Sequence, residues 1–182
     1  MRQYSIAMII GSLRRDSFNR QLAHAIAQLG PPEFTFKLVS IGDLPLYNQD
    51  DDLNQVDSVR RLKDEITAAH GVVFVTPEYN RSVPGVLKNA IEHASRPSGK
   101  SAWEGKPAGI IGVSPGTNGT AMAQQHLRNI LACLDVPTLG TPEAFMQAKG
   151  LFDEAGKLNA ANHQFILKWM ERFAAWVKRH VD

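Results

Sequence analysis

A loop rich in hydroxyl, amide and guanidinium groups follows the first apolar run of the chain. It spans residues 11–19 and has the sequence GSLRRDSFN. Ser12, Ser17 and Asn19 offer neutral hydrogen-bond donors, and Arg14 adds a fixed charge whose planar fork suits a phosphate. An amphipathic segment follows, and the N-terminus of a helix favours a bound anion through its free N–H groups and its dipole. The loop therefore predicts an anion site. The alternative is that Ser17 only caps the helix and the arginines are solvated.

Two further polar loops follow later apolar runs. One has the sequence PEYNRSVPG (residues 77–85), and the other has SPGTNG (residues 114–119). Prolines stiffen the first, whose remaining backbone N–H groups could face the polar edge of a flat heterocycle. Glycines in the second allow a ligand to approach the backbone closely. Each could instead be an ordinary turn. The 11–19 loop lacks the G-x-G-x-x-G spacing of a dinucleotide fingerprint.

The elements that position these loops alternate between short apolar runs and amphipathic segments. The pattern predicts strands at Tyr4–Ile10, Phe34–Ile41, Gly71–Thr76, Ala108–Val113 and Val136–Leu139. It predicts helices at Ser17–Leu29, Val56–Ala69, Pro84–Ala94, Asn118–Leu134 and Leu158–Val181. Strict alternation indicates one α/β domain over residues 1–182, with a five-stranded parallel sheet of order 2-1-3-4-5 and helices on both faces. In that order, the loops after strands 1, 3 and 4 line one crevice.

Composition narrows the class of protein. Of the 182 residues 43% are hydrophobic and 21% charged, and the net charge of +2 argues against nucleic-acid or anionic-membrane partners. The lone cysteine, Cys133, excludes an internal disulfide and suits a reducing compartment; its helix predicts a buried thiol. No apolar stretch reaches bilayer-spanning length. We expect a soluble cytoplasmic protein.

Two motifs suggest other chemistry and are set aside. Residues 112–116, GVSPG, match the nucleophile elbow of hydrolases. The oxyanion hole of that elbow needs the N–H of the residue after Ser114, and Pro115 has none. The aspartates at 50–52 have no further ligand at a recognisable spacing, so we expect no metal site.

The combination of GSLRRDSFN (residues 11–19) and PEYNRSVPGVLKNAIE (residues 77–92) resembles the NAD(P)H-dependent FMN reductase family, notably its chromate and quinone reductase branch. The resemblance extends from Ile6 to the closing helix. It implies a flavodoxin-like three-layer α/β/α sandwich with bound FMN. The residues it implies at the FMN phosphate and ribityl chain are Ser12, Arg14, Ser17, Phe18 and Asn19. Those implied around the isoalloxazine are Pro77, Glu78, Tyr79, Asn80 and Ser82, with Ser114 and Gly116 on the other side of the ring.

The resemblance also implies a reaction and an assembly. NADPH or NADH would pass hydride to flavin N5, and quinones, chromate or azo compounds would then be reduced in a ping-pong cycle with no dedicated catalytic side chain. Relatives are homodimers or homotetramers, which implies contacts through residues 84–95 and around Arg128. Arg81 or Arg14 could attract anionic substrates, although an aromatic residue stands in place of Arg81 in some relatives. The competing class is a flavodoxin-type electron carrier, usually strongly acidic, whereas this chain has a pI of about 8.8. A third is a flavin-binding structural or sensing module.

Overall fold

The computed structural model describes residues 2–181, in which strands and helices alternate along the chain. The strands are β1 (Tyr4–Ile10), β2 (Phe34–Val39), β3 (Gly71–Val75), β4 (Ala108–Ser114) and β5 (Ala144–Gln147). The helices are α1 (Phe18–Leu29), α2 (Asp57–Thr67), α3 (Gly85–Ala94), α4 (Ala121–Cys133) and α5 (Ala160–Val181). All the strand pairs are parallel, in the order β2-β1-β3-β4-β5. The predicted flavodoxin-like sheet is confirmed.

Helices cover both faces of the sheet, which explains why the central strands are apolar throughout. Every residue of β3 is buried, as expected for a parallel strand without a solvent face. On one face, α1 and α5 pack through residues such as Leu22 and Trp169. On the other face, α2, α3 and α4 pack through residues such as Leu62, Leu87 and Leu127. These two cores hold the strand ends in place.

The predicted position of the last strand, Val136–Leu139, is wrong, because the fifth strand is Ala144–Gln147. The earlier segment forms backbone hydrogen bonds with the first residue of β4: the N–H of Ala108 donates to the Pro137 carbonyl at 2.9 Å, and the Leu139 N–H donates to the Ala108 carbonyl at 2.8 Å. Pro137 has no N–H with which to extend a ladder. The segment's apolar side chains are nevertheless buried, so its sequence has the composition of a strand.

Several predicted ends shift by up to three residues, and two of these shifts have a clear local cause. Helix α4 starts at Ala121 instead of Asn118, because Gly119 takes a left-handed φ of 56°. Helix α5 starts at Ala160 instead of Leu158, because the Asn159 side chain accepts the N–H of Asn162 at 2.8 Å, as an N-cap does.

Three other expectations concern the surface and the chain ends. Cys133 is exposed, so the prediction of a buried thiol is wrong: its position faces away from the core that Leu127 and Leu131 enter. Among residues 2–181, no helix is long and apolar enough to span a membrane. The same stretch holds no group of three or more His, Cys, Asp or Glu that could bind a metal. Met1 and Asp182 of the predicted domain lie outside the described residues.

Candidate functional site

Three loops meet at the carboxyl edge of the sheet, where the neighbouring strands β1, β3 and β4 end. The first loop passes very close to the second. A Cβ on Gly11 would lie 3.2 Å from the Thr76 hydroxyl and 3.3 Å from Cδ of Pro77. The Gly11 N–H also donates to the Val75 carbonyl at 2.9 Å. A Cβ here would be tighter than ordinary van der Waals contact, so glycine lets the first two loops approach closely at the edge where the strand order predicts a crevice.

The first loop leads into α1 and leaves two backbone donors free. Ser17 is the N-cap: its hydroxyl accepts the Arg20 N–H at 3.4 Å. The first-turn N–H groups of Phe18 and Asn19 donate to no acceptor within the described residues. Ser12 is buried, with 3% of its surface exposed, and Arg14, two residues further along the loop, is exposed. Free amides at a helix N-terminus, a hydroxyl and a guanidinium are together suited to hold a phosphate.

The side chain of Asn19 is committed to the protein. Its amide nitrogen donates to the Val113 carbonyl at 2.8 Å, and its oxygen accepts the Val113 N–H at 3.0 Å. Val113 lies beyond the last β3–β4 pair, Val75 with Ile111, so its backbone has no strand neighbour on that side. The Asn19 amide takes the place of that neighbour and ties α1 to β4. Only its backbone N–H remains for a phosphate.

The second loop is a tight hairpin with free amides at its tip. Tyr79 and Ser82 exchange backbone hydrogen bonds of 3.2 and 3.0 Å. Between them, Asn80 and Arg81 have φ values of 51° and 61°, as a type I′ turn requires. The N–H groups of these two residues donate to no acceptor within the described part of the chain. They can therefore meet the polar edge of a ligand.

Both ends of this hairpin are attached to α4. A carboxylate oxygen of Glu78 accepts the N–H of Ala123 at 3.0 Å in the first turn of that helix, where Thr120 supplies no side-chain cap. A negative charge there also complements the helix dipole. The Ser82 hydroxyl shares a hydrogen bond of 2.9 Å with Nδ1 of His126. The polar side chains at both ends of the second loop thus fix its position, and Tyr79 stays 46% exposed.

The third loop is closed by its own serine. The Ser114 hydroxyl donates to the Gly119 carbonyl at 2.6 Å and accepts the Gly116 N–H at 3.2 Å. A Cβ on Gly116 would meet only that hydroxyl, at 3.5 Å, so the surface beside this glycine is open to a flat ligand. The Ser114 hydroxyl proton is used within the loop, which gives no support to a nucleophilic serine.

Sequence reasoning missed a buried polar pair beneath the third loop. Thr120 and Gln124 are both fully buried. The Gln124 amide nitrogen donates to the Thr120 hydroxyl at 2.8 Å and to the Ala144 carbonyl at 2.9 Å. The pair connects α4 to the start of β5. Its only signal in the sequence is a spacing of four residues on one helix, which many exposed pairs share.

Similarity to known proteins extends over nearly the whole chain. The family model described as NADPH-dependent FMN reductase matches residues 4–150. A quinone reductase from Pseudomonas putida is 48% identical over 177 residues, 96% of this chain and 95% of that protein. A 2-hydroxy-1,4-benzoquinone reductase from a Burkholderia species is 49% identical over 175 residues, 95% of this chain and 96% of that protein. The solved structure of FerB, a flavoenzyme NAD(P)H:(acceptor) oxidoreductase from Paracoccus denitrificans, aligns with a TM-score of 0.91 at 40% identity, covering 97% of this chain and 98% of that one.

Proposed function

This chain belongs to the NADPH-dependent FMN reductase family, and we propose that its three-loop crevice binds FMN and transfers hydride from NAD(P)H to quinones. The observation that carries this proposal is a pair of free donor sets within one crevice. One set is the first-turn amides of α1, at Phe18 and Asn19. The other is the turn amides of Asn80 and Arg81. A phosphate suits the first set and the polar edge of a heterocycle suits the second.

The residues present fit FMN at both ends. At the phosphate end, Ser12, Arg14, Ser17 and the amides of Phe18 and Asn19 supply donors and one full positive charge. At the ring end, the proposed contacts come from Pro77, Tyr79, the amide of Asn80, Ser114 and Gly116. Glu78 and Ser82 act chiefly by holding the hairpin on α4.

The protein's part in the reaction is to bind and orient. Bound FMN would supply the chemistry of accepting a hydride and passing its electrons on. The nicotinamide and the acceptor would then occupy the same crevice one after the other. The exposed Tyr79 ring borders the open side, where a flat substrate must stack at about 3–3.5 Å. We assign no acid or base. Because an open face places little demand on the shape of the acceptor, we also propose chromate and azo compounds as acceptors, as the family resemblance implies.

The test is spectroscopic and kinetic. Purified protein reconstituted with FMN should be yellow, oxidise NADPH or NADH, and reduce a quinone with matching stoichiometry. Arg14→Gln removes a charge-assisted contact, so the FMN dissociation constant should rise by about tenfold or more. Arg15→Gln is the matched control, because Arg15 is an equally exposed arginine of the same loop outside the proposed site. Bound FMN without NAD(P)H oxidation would favour the electron-carrier alternative, and absence of flavin binding would contradict the proposal.

The proposed assembly is a homodimer or homotetramer of single-domain chains (residues 1–182) in the cytoplasm, where NAD(P)H is available. In the loop between β2 and α2, Leu46 and Leu53 are 86% and 87% exposed, and we propose that they form part of the contact between protomers. The loop is fixed, because Asn89 of α3 accepts the Tyr47 N–H and donates to the Pro45 carbonyl, both at 2.8 Å. Light scattering should show an oligomer, and the double variant Leu46→Asp with Leu53→Asp should dissociate it.

A further inference from the structure

The tip of the second-loop hairpin carries a guanidinium that the protein itself does not use. Arg81 is exposed, and its side chain makes no hydrogen bond or ion pair with any residue in the range 2–181. Arg61 and Arg128 bind within the protein, to Asp43 and to the Leu139 carbonyl, each at 2.9 Å. Arg14 and Arg15 are like Arg81 in that their side chains make no hydrogen bond or ion pair among residues 2–181. An arginine without a protein partner is available to a ligand.

The backbone holds Arg81 in a conformation that arginine does not favour. Its φ of 61° lies in the left-handed region, which costs a residue with a Cβ conformational energy. The two backbone hydrogen bonds between Tyr79 and Ser82 keep it there. The acidic residue of the same loop, Glu78, has a carboxylate oxygen engaged by the Ala123 N–H of α4. The cation is therefore carried on a fixed base at the carboxyl edge of the sheet.

Arg81 and Arg14 lie at different ends of the proposed site. Arg14 lies beside the N-terminus of α1, the proposed phosphate end, whereas Arg81 follows β3 in the loop proposed to meet the ring. The third loop, residues 114–119, has no charged side chain. Arg81 is therefore the one cationic side chain of the loop proposed to meet the ring, and the carboxylate of that loop, Glu78, is bonded to α4.

We infer that Arg81 determines acceptor specificity by favouring quinones that carry a negative charge, such as sulfonated or deprotonated hydroxyquinones. The inference rests on the proposed function, because it requires the acceptor to stack beside the second loop. Two unit charges about 7 Å apart change a rate constant by about threefold at the dielectric constant of water and by about fiftyfold at an effective value of about 20, so we expect an effect of about tenfold at this exposed site. Salt weakens the effect, since the Debye length is only about 3 Å at 1 M ionic strength.

The experiment compares two acceptors that differ by one charge. The FMN-loaded protein is reduced anaerobically with dithionite and mixed with a neutral naphthoquinone or with its monosulfonate. The rate constant of flavin reoxidation is measured for each. Arg81→Asn removes the charge while keeping a residue that tolerates left-handed φ, and Arg81→Lys keeps the charge. Arg15→Gln removes an equally exposed charge from the first loop and serves as the matched control.

Arg81→Asn should lower the sulfonate rate constant about tenfold relative to the neutral quinone, whose own rate constant should change less than about twofold. Arg81→Lys and Arg15→Gln should keep the wild-type ratio, and high salt should bring the wild-type ratio towards that of Arg81→Asn. The inference is overturned if Arg81→Asn leaves the ratio of the sulfonate to the neutral-quinone rate constant unchanged, including the case in which both rate constants fall equally. It is also overturned if Arg81→Lys lowers this ratio as much as Arg81→Asn does. If the wild-type protein does not reduce the neutral quinone, the proposed function has failed and the inference fails with it.

Discussion

Replacing Asn19 by alanine should destabilise the protein far more than any exposed substitution in the same helix. The variant loses two buried hydrogen bonds and leaves the N–H and C=O of Val113 without partners. Each unsatisfied buried group costs about 1–3 kcal/mol, so the loss from the two groups should be about 2–6 kcal/mol. In a domain of this size, 1 kcal/mol shifts the melting temperature by about 2–4 °C. The melting temperature should therefore fall by roughly 4–24 °C.

The assay is thermal and urea unfolding of the flavin-free protein, followed by circular dichroism. Arg20→Ala is the control, because Arg20 is the next residue of α1 and its side chain is exposed, so its effect should stay within about 0.5 kcal/mol. FMN affinity, measured by flavin fluorescence quenching, should also fall in Asn19→Ala, since α1 and β4 carry two of the three loops. A stability equal to that of the Arg20 control would refute the structural role assigned to Asn19.

Three further predictions concern the strand ends, the hairpin and acid stability. Gly112→Ala should destabilise by at least about 1–3 kcal/mol in urea unfolding, because its Cβ would lie 2.0 Å from a backbone carbonyl oxygen just beyond β3; an effect no larger than that of Gly116→Ala, where the space is open, would argue against this. Glu78→Ala should cost about 1 kcal/mol in thermal unfolding and Glu78→Gln less, since glutamine still accepts a hydrogen bond; equal losses would contradict the capping role. The hydrogen bond from Lys178 lowers the pKa of Glu33 below 4.5, so the stability linked to this pKa is present above about pH 4.5 and is lost as the pH falls through the lower folded pKa. Glu33→Gln should flatten that part of the curve of unfolding free energy against pH. A curve unaltered by the substitution would count against this linkage.

The sheet and its three loops could be predicted because they depend on local patterns. Short apolar runs such as Gly71–Val75 alternate with amphipathic segments, and parallel strands bring their carboxyl ends to one edge. The last strand could not be distinguished in this way. Val136–Leu139 and Ala144–Gln147 are both short, and both bury apolar side chains. Only the hydrogen-bond pattern beside β4 separates them.

The internal contacts of the site were beyond local reasoning because their partners are far apart in the sequence. Asn19 bonds Val113, 94 residues away, and Glu78 caps a helix through Ala123, 45 residues away. Polar residues were expected to face the ligand, but these two side chains hold the loops together. The loop positions were thus predictable from the sequence, whereas the division between binding and positioning residues required the folded chain.

A crystal structure of the protein with FMN tests the central claim most directly. We expect the phosphate to lie within hydrogen-bond distance of the Phe18 and Asn19 amides and of Arg14. We expect the isoalloxazine to lie against the turn at Asn80 and beside Gly116. FMN bound outside the three-loop crevice, or with its phosphate at the second loop and its ring at α1, would show that the proposed binding mode is wrong.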